Sequence, residues 1–296
     1  MRDQAEKLRE LARGFQKPAK NPIIKKQPGP KARVITVTSG KGGVGKTNLT
    51  VNLALALANL GQKVLVIDAD LGLANVEFVL GATPRYNLLN LLDDGCNFND
   101  IAMDGPRGIK FMSGGSGIYQ LANLSDGQLQ RIVNQVVMFD EWANIILIDT
   151  GAGLHQNVLN FVMAADEVII ITTPEPSAIA DAYAVMKTYA AYHGRGLLRL
   201  VVNRVLEMAE GQIAVDKLGK VSQRFLGMAV TNLGFIFEDP NVLKAVKSQT
   251  PVMVAYPDTI SARCIDHIAQ RLLYGKEVNE PAGIKGFFSR FLDIVR

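Results

Sequence analysis

Apolar residues gather along this chain in short continuous runs separated by longer amphipathic stretches. The runs Val34 to Thr38, Lys63 to Asp68, Ile109 to Met112, Ile145 to Asp149, Val168 to Thr173 and Leu198 to Arg204 are short and mostly rich in Val, Ile and Leu, so they read as strands. A further strand is expected within Phe225 to Phe237. Between them, Leu49 to Leu60, the region around Ser125 to Met138, Ser177 to Tyr192, Val242 to Ser248 and Ile260 to Leu273 suit helices. Gly61 can end the first of these, and Ser177 can cap the one it opens. Strands without polar alternation are covered on both sides. The pattern therefore predicts an α/β fold, a mostly parallel β-sheet with helices on both faces.

Both ends depart from this alternation. Asp3 to Phe15 can form a short helix with a narrow apolar stripe of Ala5, Leu8, Leu11 and Ala12. Gln16 to Lys31 follows, holding Pro18, Pro22, Pro28 and Pro30 with Lys20, Lys25, Lys26 and Lys31, the composition of an extended, solvated basic tether. A helix on such a tether either docks on its own domain or recognises a partner. At the other end, Glu277 to Gly283 breaks the pattern, after which Ile284, Phe287, Phe288, Phe291, Leu292 and Val295 recur at helical spacing. Lys285, Ser289, Arg290, Asp293 and Arg296 occupy much of the opposite face. Such a helix either docks on the domain or a partner, or lies in a membrane interface. Three phenylalanines after a flexible break favour an anionic membrane surface. The expected organisation is an N-terminal partner-binding helix (1–15), a Pro-rich linker (16–32), one large domain (33–275), and a linker with a membrane-targeting helix (276–296).

At 296 residues and 48% hydrophobic content, the chain can bury a substantial core. The net charge of +4 tolerates an anionic partner, but no DNA-reading motif is present and no specific nucleic acid is expected. Cys96 and Cys264 are too few for a disulfide scaffold or metal cluster, and His155, His193 and His267 lack metal-ligand spacing, so ordinary roles are expected. Met1 to Phe15 is charged and does not resemble a secretory leader, while Val168 to Thr173 is too short to cross a bilayer. A cytoplasmic protein with peripheral membrane contact is expected.

The chemistry concentrates after the first apolar run. Ser39 to Thr47 places Gly40, Gly45, Lys46 and Thr47 in the spacing of a phosphate-binding loop between a strand and a helix. Glycines let the backbone wrap around phosphate oxygens, and the amides and helix N-terminus supply donors and positive potential. Lys46 should reach the β- and γ-phosphates and Thr47 should bind magnesium. Asp68 and Asp70 follow the next strand at the edge where α/β sheets place ligands, suited to orienting water or magnesium. Asp149 ends a central strand and should lie beside Thr47, and Thr150 to Gly153 could respond to a γ-phosphate. Asn203, at another strand end, could read an adenine edge or simply form a turn. Ser113 to Gly117 lacks a following Lys-Ser/Thr, so a turn near the nucleotide explains it.

With Lys41 directly after Gly40, the loop is a deviant Walker A motif. Together with Asp68-Ala69-Asp70 and Asp149-Thr150-Gly151-Ala152-Gly153, it resembles the MinD/ParA family of P-loop ATPases over residues 33–275. The resemblance implies the P-loop NTPase fold, slow ATP hydrolysis with Mg2+, and an ATP-dependent face-to-face homodimer. Lys41 would cross to the partner subunit's phosphates. Gly40, Gly42, Gly43, Val44, Gly45, Lys46, Thr47 and Asn48 would hold the nucleotide. Asp68 and Asp70 would act near the first switch, Asp68 also assisting the metal with Thr47 and Asp149. Asn203, Arg204, Glu238, Asp239 and Pro240 would form the base pocket, although Ile236-Phe237-Glu238-Asp239-Pro240 departs from the family's Ile-Pro-Glu-Asp form. Asp3, Gln4, Ala5, Leu8 and Arg9 are similar to the segment with which the family's flagellar-number regulators stimulate an FlhF-type GTPase. That branch further implies flagellar switch (C-ring) proteins or a flagellar transcription regulator as partners, and placement at poles or flagellar assembly sites. Division-site MinD-type and ParA-like DNA- or cargo-positioning ATPases are the alternatives.

Overall fold

The computed structural model describes residues 31–70, 75–82, 84–275 and 281–295. Its strands are β1 Arg33–Ser39, β2 Val64–Ala69, β3 Met103–Asp104, β4 Lys110–Ser113, β5 Ile145–Ala152, β6 Glu167–Thr172, β7 Leu197–Val205 and β8 Thr231–Phe237. They form one sheet in the order β3-β4-β2-β5-β1-β6-β7-β8. Every described pairing is parallel except β3 with β4. The sheet is thus α/β and mixed, mostly parallel, with one antiparallel edge strand that the sequence pattern did not announce.

The longer helices are α1 Lys46–Asn59, α2 Asn75–Leu80, α3 Asp126–Trp142, α4 Gln156–Ala164, α5 Pro176–Ala191, α6 Met208–Val221, α7 Pro240–Lys247, α8 Ile260–Tyr274 and α9 Gly283–Val295. Helices α1 and α8 bury their apolar faces on one side of the sheet. Helices α3, α4 and α9 cover the other side, continued by α5 and α6. β1 and β5 lie at the centre, and registry sets Asp68 of β2 opposite Asp149 of β5. Parallel pairing therefore brings the acidic strand ends to one edge, beside the loop leaving β1.

β8 lies within the Phe225 to Phe237 run where a strand was expected, whereas α6 occupies a stretch for which no helix was expected. Ser177 is not a cap: α5 starts at Pro176, with Glu175 before it and no side-chain cap bond. Residues 281–295 are not set apart from the domain, because α9 packs into the same core as the sheet. Ile284, Phe287, Phe288, Phe291 and Leu292 are buried, and Phe291 lies with its ring centroid 5.0 Å from that of Phe161 on α4. In this conformation the stripe expected to meet lipid is covered by protein. Each such phenylalanine withdraws about 1.5–3 kcal/mol worth of apolar surface from water. Asp3, Gln4, Ala5, Leu8 and Arg9 lie outside the described residues.

Candidate nucleotide site

The loop between β1 and α1 is shaped by two glycines. Gly45 sits in the left-handed region at φ 94°, and a side chain there would also run into the Asn203 amide. Gly40 packs so closely on the Asp181 backbone that no Cβ fits. Gly42 and Gly43 are exposed at the tip, whereas Val44 is buried and anchors the loop. No side chain caps α1, so its first-turn amides are not taken up by a side-chain cap.

Behind the loop lies a compact charged cluster. Asp149, fully buried, accepts from Lys46 Nζ at 3.1 Å, Thr47 Oγ1 at 2.6 Å and Thr50 Oγ1 at 2.9 Å. Lys46 is itself only 8% exposed, so this carboxylate is the counter-charge that makes its burial tolerable. Thr50 was missed from sequence; its signal is its position one turn along α1 from Lys46.

Asp68 is buried, and its two oxygens accept the amides of Asp70 at 3.0 Å and Val76 at 3.0 Å. Burial, reinforced by the nearby Asp149 charge, pushes its pKa up to about 7 against the pull of those amides. A metal at Asp68 would have to share oxygens already engaged by backbone. Asp70 is less buried, accepts from Asn75 Nδ2 at 3.0 Å, and lines a small cleft with Gly151 and His155.

Beside the loop is a cavity of about 480 Å³, lined by Gly45, Asn48, Asn203, Arg204, Glu238 and Pro240 among others. That is the size range of small-molecule sites. Asn203 donates from Nδ2 to the Val44 carbonyl at 2.8 Å, which ties the β7 end to the loop, and its carboxamide also carries a second N–H and an acceptor oxygen. Asp239 also lines the cavity but is turned to structure: it accepts from Asn241 N at 2.9 Å and Ser261 Oγ at 2.8 Å. Burial alone would raise its pKa, but hydrogen bonds from Asn241, Ser261 and Thr259 outweigh that and hold it low. Arg204 and Glu238 face each other at 4.0 Å on the exposed rim.

Lys41 points away from the cradle. Its Nζ lies 3.0 Å from Glu175 Oε2 and 3.1 Å from Ser177 Oγ, both at the start of α5. The pair is solvent-exposed on both sides, so little energy holds Lys41 there.

A family model described as the NUBPL iron-transfer P-loop NTPase, of the ParA group, matches residues 31–273. The chain belongs to the MinD/ParA family of P-loop ATPases. As a member of that family it is a dimerising, ATP-hydrolysing switch protein. It is 38% identical over 256 residues to the antiactivator FleN of Pseudomonas aeruginosa, covering 86% of this chain and 91% of FleN. It is 33% identical over 266 residues to the flagellum site-determining protein YlxH of Helicobacter pylori, covering 88% and 90%. Among solved structures it resembles the MinC:MinD cell division protein complex of Aquifex aeolicus, with TM-score 0.65, 28% identity, and 84% and 98% coverage.

The residues present fit the ATP and Mg2+ typical of the family. Asn48 Nδ2 is buried beside the cavity with no partner among the described residues, and Thr47 and Asp149 provide the hard oxygen donors that Mg2+ takes. The ion would neutralise phosphate charge.

Lys41→Ala is expected to change unfolding stability by less than about 1 kcal/mol, since the pair it breaks is exposed. Turnover of the assembled protein should nevertheless fall by about 10³-fold, the lower end for a cation supplied in trans. Urea unfolding and phosphate release measure the two; an unchanged turnover would remove Lys41 from the chemistry.

Proposed function

We propose that this protein is a MinD-type positioning switch in which ATP occupancy drives assembly of two copies, and assembly controls partner and membrane contacts. The observation that carries this reading is Lys41, placed outside a complete cradle of Lys46, Thr47 and Asp149 and held only by an exposed pair. A cation so placed can serve a second subunit's nucleotide at little cost. ATP controls assembly only to the extent that it binds the assembled form better. Asp70 would orient water, Asp68 would hold the first switch segment through its two backbone bonds, and Asp149 would set the Thr47 hydroxyl toward the metal. Reversible attachment to the inner face of the cell membrane would require α9 to leave its groove. No described helix is long and apolar enough to cross a bilayer.

Within this class two cellular roles compete. Control of flagellar number, through stimulation of an FlhF-type GTPase by residues 1–15, is supported by FleN, YlxH and the Asp3 to Arg9 motif. Division-site placement is supported more broadly. Its support comes from MinD relatives, such as that of Synechocystis at 32% identity over 244 residues, and from the MinD structures. The ParA-like solved structures at 18% identity share the fold alone. The deciding experiment is a pull-down of an FlhF-type GTPase and of a MinC-type partner, with ADP or ATP, by the full chain and by residues 16–296. ATP-state capture of the GTPase that is lost with residues 1–15 supports the flagellar role. Capture of the MinC-type protein alone supports the division-site role and overturns the flagellar one.

A further inference from the structure

The segment that follows Asp149 lies along the start of the nucleotide loop. Thr150 Oγ1 donates to the Val37 carbonyl at 3.1 Å, Ala152 pairs with Ser39 across β5 and β1, and Gly153 N donates to the Ser39 carbonyl at 2.8 Å. Ser39 is the last residue of β1, so residues 150–153 are fixed where that strand gives way to the phosphate-binding turn. Gly153 then turns the chain at φ 93°, a left-handed value that suits glycine, and α4 starts at Gln156.

His155 stands between that turn and α4. It occupies the N-cap position, yet its side chain does not cap the helix. The ring instead folds back over the turn: a Cβ built on Gly153 would lie 3.7 Å from His155 Cδ2 and 3.9 Å from its Nε2. A Cβ built on Gly151 would lie 3.6 Å from Asp70 Oδ1, so the carboxylate just past β2 abuts the same segment. The two side chains share a cleft of about 210 Å³, room for several waters at roughly 30 Å³ each. Among the described residues that line it, Asp70 and His155 are the two with titratable side chains; Ala69, Ala152 and Val158 form apolar wall. The spacing of the histidines in the chain bears on metal binding alone and carries no sign of this pairing.

We infer that His155 is a positioning residue for ATP hydrolysis, holding the attacking water in this cleft together with Asp70. The inference rests on the reading of Asp70 as the group that orients water. In phosphoryl transfer the protein's contribution is placement and charge stabilisation. The water oxygen bonds to the γ-phosphorus as the bond to the bridging β-phosphate oxygen breaks, ADP leaves with that electron pair, and the water's proton ends on the released phosphate. An ionised carboxylate fixes one hydrogen of the water, and an acceptor nitrogen of imidazole fixes the other, which leaves the oxygen lone pairs free for phosphorus. The imidazole takes up no net proton over the cycle.

The test is steady-state phosphate release by the full chain with ATP and Mg2+. In His155→Ala, kcat is expected to fall by about a hundredfold, the low end for removing one hydrogen-bonding group at the reacting atoms. KM for ATP should stay in place, the pattern of an interaction made in the transition state. His155 is exposed, so the urea midpoint should not move, and sedimentation at saturating ATP should show the same assembly as the unaltered chain. Two forms of rescue separate positioning from structure. His155→Gln, whose amide oxygen can accept, should recover part of kcat, and free imidazole should raise kcat of His155→Ala saturably while leaving the unaltered chain unchanged. Full turnover in His155→Ala, a loss that follows lost assembly or a lowered urea midpoint, or a loss that neither glutamine nor imidazole restores overturns the inference. Asp70→Asn, measured beside these, reports on the water-orienting reading by itself: full turnover there ends that reading, whereas full turnover in His155→Ala alone ends this one.

Discussion

Asp149→Ala is expected to lower unfolding stability by about 3–5 kcal/mol, because it leaves the buried Lys46 ammonium without its counter-charge. ATP turnover should fall at the same time by about 10–100-fold, the usual cost of removing a group that orients a metal ligand. The two losses arise from different parts of one cluster. Stability depends on the charge facing Lys46 at 3.1 Å, and turnover depends on how the Thr47 hydroxyl is held at 2.6 Å. Asp149→Asn is the milder test of both. Its amide keeps the volume and can still accept from one hydroxyl, yet it cannot neutralise Lys46, so both stability and turnover fall, stability less than in the alanine variant. Urea unfolding of the nucleotide-free protein and steady-state phosphate release give the two quantities. Turnover retained in Asp149→Asn would show that the carboxylate serves the fold alone. Thr50→Val adds a control: it removes one donor to Asp149 and leaves Lys46 and Thr47 in place, and should reduce turnover least.

How much of this could be read from the chain depends on the range of the interaction. The β1-loop-α1 unit was legible because its determinants are local: an apolar run, glycines where only glycine fits, and Lys46-Thr47 opening the helix. Asp149 was legible because an apolar run closed by a carboxylate delivers it to the ligand edge, although β5 itself runs on to Ala152. Contacts between distant segments were not. Nothing local tells that Lys41 rests on Glu175, or that Asn203 gives its amide to Val44. β3 is only two residues long, too short for its alternation to register. Helix α6 was missed because its apolar face is modest and interrupted by Gly211 and Gly219, which weaken a helical reading. At the C-terminus, periodicity established that one face is apolar and must be covered. It could not distinguish lipid from the α3 and α4 groove, because both present the same hydrocarbon surface to the same phenylalanines.

That ambiguity defines the last prediction, in which two variants of the α9 region should move membrane binding in opposite directions. The helix is held in two ways. Its apolar face is buried against Phe161 and its neighbours, and two carboxylates of the domain clasp its start: Asp140 accepts from Ile284 N at 2.9 Å, and Asp166 accepts from Ala282 N at 3.2 Å and Arg290 Nη2 at 2.9 Å. Hydrogen bonds to ionised groups are worth about 1.5–3 kcal/mol each, so Asp140→Ala with Asp166→Ala should favour the undocked helix by roughly a hundredfold or more. The stripe that would meet lipid is intact in that double variant. Sedimentation with anionic liposomes in ADP should therefore recover more of it than of the unaltered chain. Phe287→Glu with Phe288→Glu also unseats the helix, since a carboxylate cannot be buried there without several kcal/mol of cost. It destroys the lipid-facing stripe as well, so recovery should fall to background in ADP and in ATP. Both variants should unfold at lower urea than the unaltered chain. If groove and bilayer compete for one face, the clasp variant gains membrane binding and the phenylalanine variant loses it. If both lose it, α9 is a structural element of the domain, and any membrane contact must be made by another part of the chain.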